Sequence, residues 1–271
     1  MKNQKEIKEM VREKYGEIAT ESKASGCCST SCCGDESGGD EIFNLVTEDY
    51  KSIEGYAEEA DLGLGCGTPT QFAKIQTGQT VVDLGSGAGN DCFVARNAVG
   101  AEGKVIGVDM TPPMIAKARE NASKLNYNNV EFRLGEIENM PIAENTADVI
   151  LSNCVLNLVP DKEKAFAEIY RITKPGGHFS ISDIVVEGIL PEKLQELADL
   201  YIGCVAGAID QNEYLQMVQA AGFEHVEVQK KTMFDVPDEL VEKYLSKEEF
   251  AQLKAENVAV WSITVTGSKP V

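Results

Sequence analysis

Histidine is nearly missing from this chain: His178 and His225 are the two in 271 residues. Neither stands just ahead of a candidate site, so general-base catalysis by imidazole is disfavoured. Positive charge is scarce as well, with 25 Lys and Arg against 44 Asp and Glu and a net charge of −19. Phosphate backbones are held by clustered Lys and Arg, so no nucleic acid partner is expected. The acidity reads as a solubility device. No apolar run approaches the roughly 18 residues of a membrane span, so no membrane association is expected either. The opening segment KNQKEIKEMVREKYGEIA is charged throughout and lacks the apolar middle of a secretory signal. The compartment expected from these absences is the cytoplasm, where thiols stay reduced unless they belong to a redox cycle.

What the chain has in quantity is cysteine, at positions 27, 28, 32, 33, 66, 92, 154 and 204. In a reducing compartment these read as reactive or ligating thiols rather than a disulfide framework. Four of them fall in GCCSTSCCG (26–34), inside a Gly, Ser and acid-rich stretch too polar to bury them.

Apolar periodicity organises the rest. Ile7, Met10, Val11, Tyr15, Ile18 and Ala19 form one stripe of a helix over 5–20. A short acidic helix is expected over 47–60, then an irregular loop at LGLGCGTPT. Strands are expected at 80–85, 104–110, 130–135, 147–153 and 178–185. Helices are expected at 90–98, 112–125, 162–173, 190–208 and 212–223, and a PGG turn precedes the fifth strand. Continuous apolar strands alternating with helices indicate an α/β fold, a parallel sheet with helices on both faces. VEVQKKTMF and VWSITVTGSKP read as two further strands that complete the sheet. The expected division is an N-terminal cap helix and Cys-rich loop (1–70), a Rossmann-like nucleotide-binding domain (71–185), and a substrate-binding segment with the terminal strands (186–271).

VVDLGSGAGND (81–91) places glycines where a strand ends and a helix begins. Such a turn lets backbone N–H groups approach a ligand, and the helix start adds more of them. Asp109, at the end of the next strand, can accept from both hydroxyls of a ribose. A P-loop would need a Lys-Ser or Lys-Thr, which is missing, and the dinucleotide fingerprint would need glycine where Asn90 stands. Asp83, inside the strand, would repel a pyrophosphate and suits a cation such as an amino group or a sulfonium. The loop with Asp83, Asp109 and KPGG resembles motif I and its surroundings in class I S-adenosylmethionine-dependent methyltransferases. Ligands of such sheets sit beyond the carboxyl ends of the strands, which carry Gly85, Asp109, Glu136 and Asn153. The resemblance implies donor contacts from Gly85, Ser86, Gly87 and Asp109, with Glu136 reaching the adenine amino group. It also implies the Ile137 backbone against the ring, Met110 packed on the adenine, and Tyr15 over the methionine end. The family more often has Asp where Glu136 stands.

Four cysteines lie outside the Cys-rich stretch. Cys92 falls inside a helix and reads as a small buried hydrophobe. Cys66 is in the glycine-rich loop, Cys154 follows the fourth strand, and Cys204 lies beyond the fifth. Three converging thiolates make a soft site, and trivalent arsenic is a soft, thiophilic centre. At this point LGLGCGTPT, VVDLGSGAGNDCFVAR, GKVIGVDMTPPMIAKAR, SNCVLNLVPDKEKAFAEIYRITKPGG and YIGCVAGAI together resemble arsenite methyltransferases. One departure is Pro113, where that family usually has a charged residue; proline in a first helical turn is tolerated.

The resemblance implies that Cys154 and Cys204 bind arsenite, that Cys66 joins the thiol set, and that one upstream cysteine, Cys32 or Cys33, completes it. It implies a transfer in which arsenic attacks the methyl of the sulfonium. Two thiols then return arsenic to the trivalent state as a disulfide, which a thioredoxin or glutathione type reductant reopens. Two other readings stay open. One is a methyltransferase for a small organic acceptor such as a quinone precursor, which needs no thiols. The other is a metal or metalloid trap built on Cys27, Cys28, Cys32 and Cys33. Zinc sites usually space paired cysteines by about two to four residues and add a distant pair, so adjacent cysteines in one loop fit zinc poorly.

Overall fold

The computed structural model describes residues 3–21, 50–188, 207–234 and 258–271. Cys27, Cys28, Cys32, Cys33 and Cys204 lie outside the described residues, as does almost all of the helix expected over 190–208. Among the described residues the strands are β1 (Thr80–Leu84), β2 (Lys104–Asp109), β3 (Val130–Leu134), β4 (Ala147–Asn153), β5 (Thr173–Glu187), β6 (Glu224–Phe234) and β7 (Ala259–Ser268). The helices are α1 (Gln4–Glu21), α2 (Asn90–Val99), α3 (Pro112–Lys124), α4 (Lys162–Ile172) and α5 (Gln211–Ala220).

These strands form one sheet in the order β3-β2-β1-β4-β5-β7-β6. The first five run parallel, with Val82 of β1 beside Ile106 of β2 on one side and Ile150 of β4 on the other. The alternating pattern predicts a parallel sheet; the sheet is instead mixed. β7 runs antiparallel to both β5 and β6. β6 still follows a helix, α5, and runs in the direction of β5; β7 alone is reversed, which the α/β alternation did not announce. The expected completion of the sheet by two terminal strands holds, with β7 inserted between β5 and β6.

Successive residues of β1 serve opposite layers, which is why the strand is apolar throughout. Val81 packs with Val105, Val149, Phe93 of α2 and Ile115 of α3. Val82 packs with Ile106, Ile150, Phe166 of α4 and Tyr214 of α5. α4 and α5 start where Asp161 and Asp210 accept from backbone N–H groups of the first turn.

Two expectations change. The short acidic helix over 47–60 is replaced, in its described part, by turns and a single 3-10 turn at Glu58–Ala60. Gly55 explains the break: its φ is +93°, and a Cβ there would lie 3.0 Å from the Phe93 carbonyl oxygen. The PGG segment belongs to β5. Between the pairs Ala147–Thr173 and Val149–His178 the strand bulges outward, and Lys269 bonds across the bulge to Gly176 and Gly177. No described helix is long and apolar enough to cross a membrane.

α1 packs against α3, with Val11 and Ala19 buried. It is fastened at its first turns by Lys8, which pairs with Glu136 at 2.7 Å and Glu138 at 2.9 Å, and by Arg12, which reaches Glu136 at 3.3 Å.

Candidate active site: an acidic cavity beside a buried thiol pair

The carboxyl ends of β1, β2 and β4 open into a cavity that α1 covers with Lys8, Val11 and Tyr15. The sequence-predicted residues Tyr15, Asp83, Gly85, Ser86, Gly87, Asp109, Met110, Ile137, Asn153 and Cys154 all line it. Glu136 does not. Its carboxylate is held by Lys8 and Arg12, and the Lys8 hydrogen bond pulls it below the usual carboxylate range. Glu138, two residues on and buried, lines the cavity in its place.

The cavity is acidic in its walls. Asp83, Asp91 and Asp109 are all buried there. Burial, reinforced by the neighbouring carboxylates Asp91 and Asp109, pushes Asp83 well above the ordinary carboxylate value. Burial raises Asp91 to about 6, against the hydrogen bonds it takes from Asn153 and Tyr50. Asp109 is raised less far, because its oxygens accept from the backbone N–H of Gly87 (3.0 Å) and Thr111 (2.8 Å). Among the described residues, the one cationic side chain in the lining, Lys8, is already engaged by Glu136 and Glu138. Such a wall has an electrostatic demand for a positively charged ligand. Gly87, at φ +50°, has open space where a Cβ would stand. The chemistry of these residues fits S-adenosylmethionine, which carries a sulfonium and an ammonium next to a ribose.

Cys92 faces the same cluster from below. Its thiol donates to Asp83 at 3.2 Å and is pushed far up by burial, which agrees with a structural cysteine.

Cys154 is the first residue after β4 and lines the cavity. Its φ is +59°, the left-handed region that a side chain enters at a cost of order 1–3 kcal/mol. The strain is held by its N–H, which donates to the Ser182 carbonyl of β5 at 2.8 Å. Cys66 approaches from the glycine-rich loop. Its N–H donates to Asn153 Oδ1 (3.1 Å), and its carbonyl accepts from Ser262 Oγ (2.6 Å). The glycines on either side are needed for that approach. A Cβ on Gly65 would lie 2.6 Å from Asn153 Nδ2, and one on Gly67 would lie 2.5 Å from Ser182 Oγ.

The two sulfurs and a carboxylate oxygen of Asp183 lie within 4.8 Å of one another, all buried. Cys66 and Cys154 therefore meet, as the sequence reading expects. Cys204, Cys32 and Cys33 fall outside the described residues. Asp183 was not anticipated. The signal was present, a lone acid among the apolar residues of HFSISDIV, but an isolated carboxylate does not announce its neighbours. Burial pushes it up to about 7, opposed by Lys162. Tyr50 and Asp91 were also not anticipated. Tyr50 donates to Asp91 at 2.8 Å, and Asn153 Nδ2 lies 2.7 Å from the Tyr50 hydroxyl and 3.1 Å from Asp91.

Comparison with known proteins shows what the chain is similar to. An arsenite methyltransferase of Halobacterium salinarum is 47% identical over 83% of this chain and 59% of its own length. One from Aquipseudomonas alcaligenes is 34% identical over 79% of this chain and 61% of its own. The chain thus spans about six-tenths of the length of these relatives. The crystal structure of an arsenic(III) S-adenosylmethionine methyltransferase from Chlamydomonas reinhardtii superposes with a TM-score of 0.65 at 31% identity, over 84% of this chain and 72% of that one. A family model described as a methyltransferase domain matches residues 75–222, from just before β1 to just past α5. With that match over more than half its length, the chain belongs to the methyltransferase-domain family.

Proposed function

We propose that this protein transfers the methyl group of S-adenosylmethionine to trivalent arsenic held by Cys66 and Cys154. The observation that carries this reading is the buried thiol pair, one member of which lines an acidic cavity suited to a sulfonium. A methyltransferase for an organic acceptor has no use for that pair. The resemblance adds Cys204 and an upstream cysteine, Cys32 or Cys33, to the thiol set.

Bound in the cavity, S-adenosylmethionine supplies an electrophilic methyl group. Asp83 and Asp91 would face its positive charges, Asp109 would take ribose hydroxyls, and Tyr15 and Met110 would cover it. Each thiol that captures arsenite displaces one hydroxide, and the thiol proton leaves with it as water. The strained backbone at Cys154 fixes one sulfur at the cavity wall, and Asn153 fixes the loop that carries the other. Catalysis is then mainly positioning, a contribution worth on the order of 7–11 kcal/mol in well-oriented systems. Methylation raises arsenic formally from three to five. Two thiols return it to three by forming a disulfide, and a thioredoxin or glutathione type reductant reopens it.

The test is incubation of purified protein with labelled S-adenosylmethionine, arsenite and a dithiol. Methylarsenicals are expected, and their absence would overturn the reading. Cys154→Ser is expected to abolish product while leaving donor binding intact. A Cys27/Cys28/Cys32/Cys33 quadruple serine variant is expected to keep arsenite binding at the inner thiols with slower turnover. Complete loss of binding in that variant would favour the trap reading instead.

A further inference from the structure

The cluster at the thiol pair contains more than arsenic chemistry requires. Its third donor is an oxygen. Cys66 comes from the glycine-rich loop, Cys154 from the turn after β4, and Asp183 from the middle of β5, and their donor atoms lie within 4.8 Å of one another. Asp183 is 1% exposed. It is aimed by its surroundings: it accepts from the Ile184 N–H at 3.0 Å, from the backbone of Asn157, and from the Tyr214 hydroxyl at a long 3.4 Å. A carboxylate has about four acceptor positions, so these contacts orient the group and leave it capacity for a ligand.

Two sulfurs and one carboxylate oxygen are a poor set for trivalent arsenic, which is satisfied by soft sulfur. They are a good set for a borderline dication. Zinc takes thiolate at about 2.3 Å and carboxylate at about 2.0–2.2 Å, and it accepts three protein ligands with a fourth position open. Two sulfurs on a tetrahedral zinc stand roughly 3.8 Å apart, a separation that follows from those bond lengths and is compatible with donor atoms that lie within 4.8 Å of one another. Charge agrees too. Two thiolates and a carboxylate carry three negative charges. A dication and the nearby Lys162 ammonium, which also donates to the Val159 carbonyl at 3.2 Å, carry three positive ones.

We propose that Cys66, Cys154 and Asp183 form a three-ligand site for a thiophilic divalent cation of the zinc class, which competes with arsenite for the same two thiols. Such a cation holds the thiol pair closed to the metalloid and protects it from oxidation. Arsenite displaces it by bonding the two thiolates and one small-molecule thiol: each As–S bond formed breaks one As–OH bond, two oxygens leave as hydroxide and the third as water with the thiol proton, and the dication passes to solvent. The proposal shares two side chains with the arsenite reading but does not depend on it.

The experiment uses the full chain with Cys27, Cys28, Cys32 and Cys33 changed to serine, so that those thiols do not contribute, and Co²⁺ as a visible stand-in for Zn²⁺. One equivalent of Co²⁺ is expected to give a thiolate-to-cobalt charge-transfer band and the intense visible bands of four-coordinate cobalt, both erased by Zn²⁺. Asp183→Asn is expected to weaken Co²⁺ at least tenfold and shift the visible bands while leaving arsenite affinity within about threefold. Unchanged cobalt affinity and spectrum in Asp183→Asn would overturn the proposal, as would the lack of stoichiometric binding in the parent. S-adenosylhomocysteine binding reports that the variant is folded. A second measurement needs no substitution at the site: Zn²⁺ is expected to slow alkylation of Cys66 and Cys154 at least tenfold by mass spectrometry. An unchanged rate also overturns the site. Cobalt binding without methylarsenicals would sink only the methyl-transfer reading, and methylarsenicals without cobalt binding only this one.

Discussion

The side-chain oxygen of Asn153 accepts a hydrogen bond from the backbone N–H of Cys66 at 3.1 Å. The same oxygen takes the Gly67 N–H at 3.2 Å, and the amide nitrogen reaches the Gly67 carbonyl at 2.9 Å and the Asp91 carboxylate at 3.1 Å. The amide is thus spent within the protein. Its place at the carboxyl end of β4 suggests a donor contact, and its bonds make it in addition the bracket between the acidic cavity and the Cys66 loop.

Asn153→Ala tests that bracket. It strips partners from several buried groups and is expected to cost about 1–3 kcal/mol of stability in chemical denaturation. Methyl transfer is expected to fall at least tenfold. The dissociation constant of S-adenosylhomocysteine is expected to change less than threefold. A large loss of donor affinity with normal turnover would return Asn153 to the donor's side.

The acidic wall gives a pH dependence with a defined sign. Asp91 sits at about 6 and Asp83 well above the ordinary value. A cation binds the ionised forms. Donor affinity is therefore expected to weaken as pH falls below about 6, by up to roughly tenfold per pH unit for one controlling group, and to go on rising above pH 6 for as long as Asp83 gives up a proton on binding. Asp83 adds a second signature, proton release on binding. Calorimetry in buffers of different ionisation enthalpy is expected to give different apparent enthalpies; identical enthalpies would argue against a protonated Asp83.

The glycine next to Cys66 is a steric requirement. Gly67→Ala drives a methyl group to 2.5 Å from Ser182 Oγ, whose partner Thr264 Oγ1 lies 2.8 Å away on β7. The loop must retreat. The expected cost is about 1–3 kcal/mol in unfolding experiments, with weaker arsenite binding and unaltered donor binding.

Lys8 ties α1 over the cavity through Glu136 and Glu138. Lys8→Met keeps the stem but removes the charge and leaves two carboxylates facing one helix. The donor product is expected to dissociate about five times faster, corresponding to about 1 kcal/mol for a partly exposed pair. Stopped-flow release in rising salt is expected to bring the parent protein towards the variant.

Much of this fold was readable because its signals are local. The glycine loop 85–89, Asp83 and Asp109 each follow from a strand ending where a helix begins, and α1 to α5 of the described residues have the expected periodicity. The antiparallel insertion of β7 was not readable, since VWSITVTGS reads as a strand in any neighbourhood. Glu136 illustrates another limit. Position at a strand end suggested an adenine contact, but two cations from α1, more than a hundred residues earlier in the chain, claim its carboxylate. Cys66 and Cys154 were legible as thiols at loops. Asp183 was not, because its significance lies wholly in which sulfurs it meets across the sheet.

β7 carries Ser262 and Thr264, which hold the Cys66 carbonyl and the Ser182 hydroxyl. It is also the last of the described strands to be synthesised and the one that slots between β5 and β6. The hydrogen bonds that seat the Cys66 loop are therefore complete only once residues 259–268 are in place beside β5, which makes the meeting of Cys66 with Cys154 a property of the closed sheet rather than of either loop.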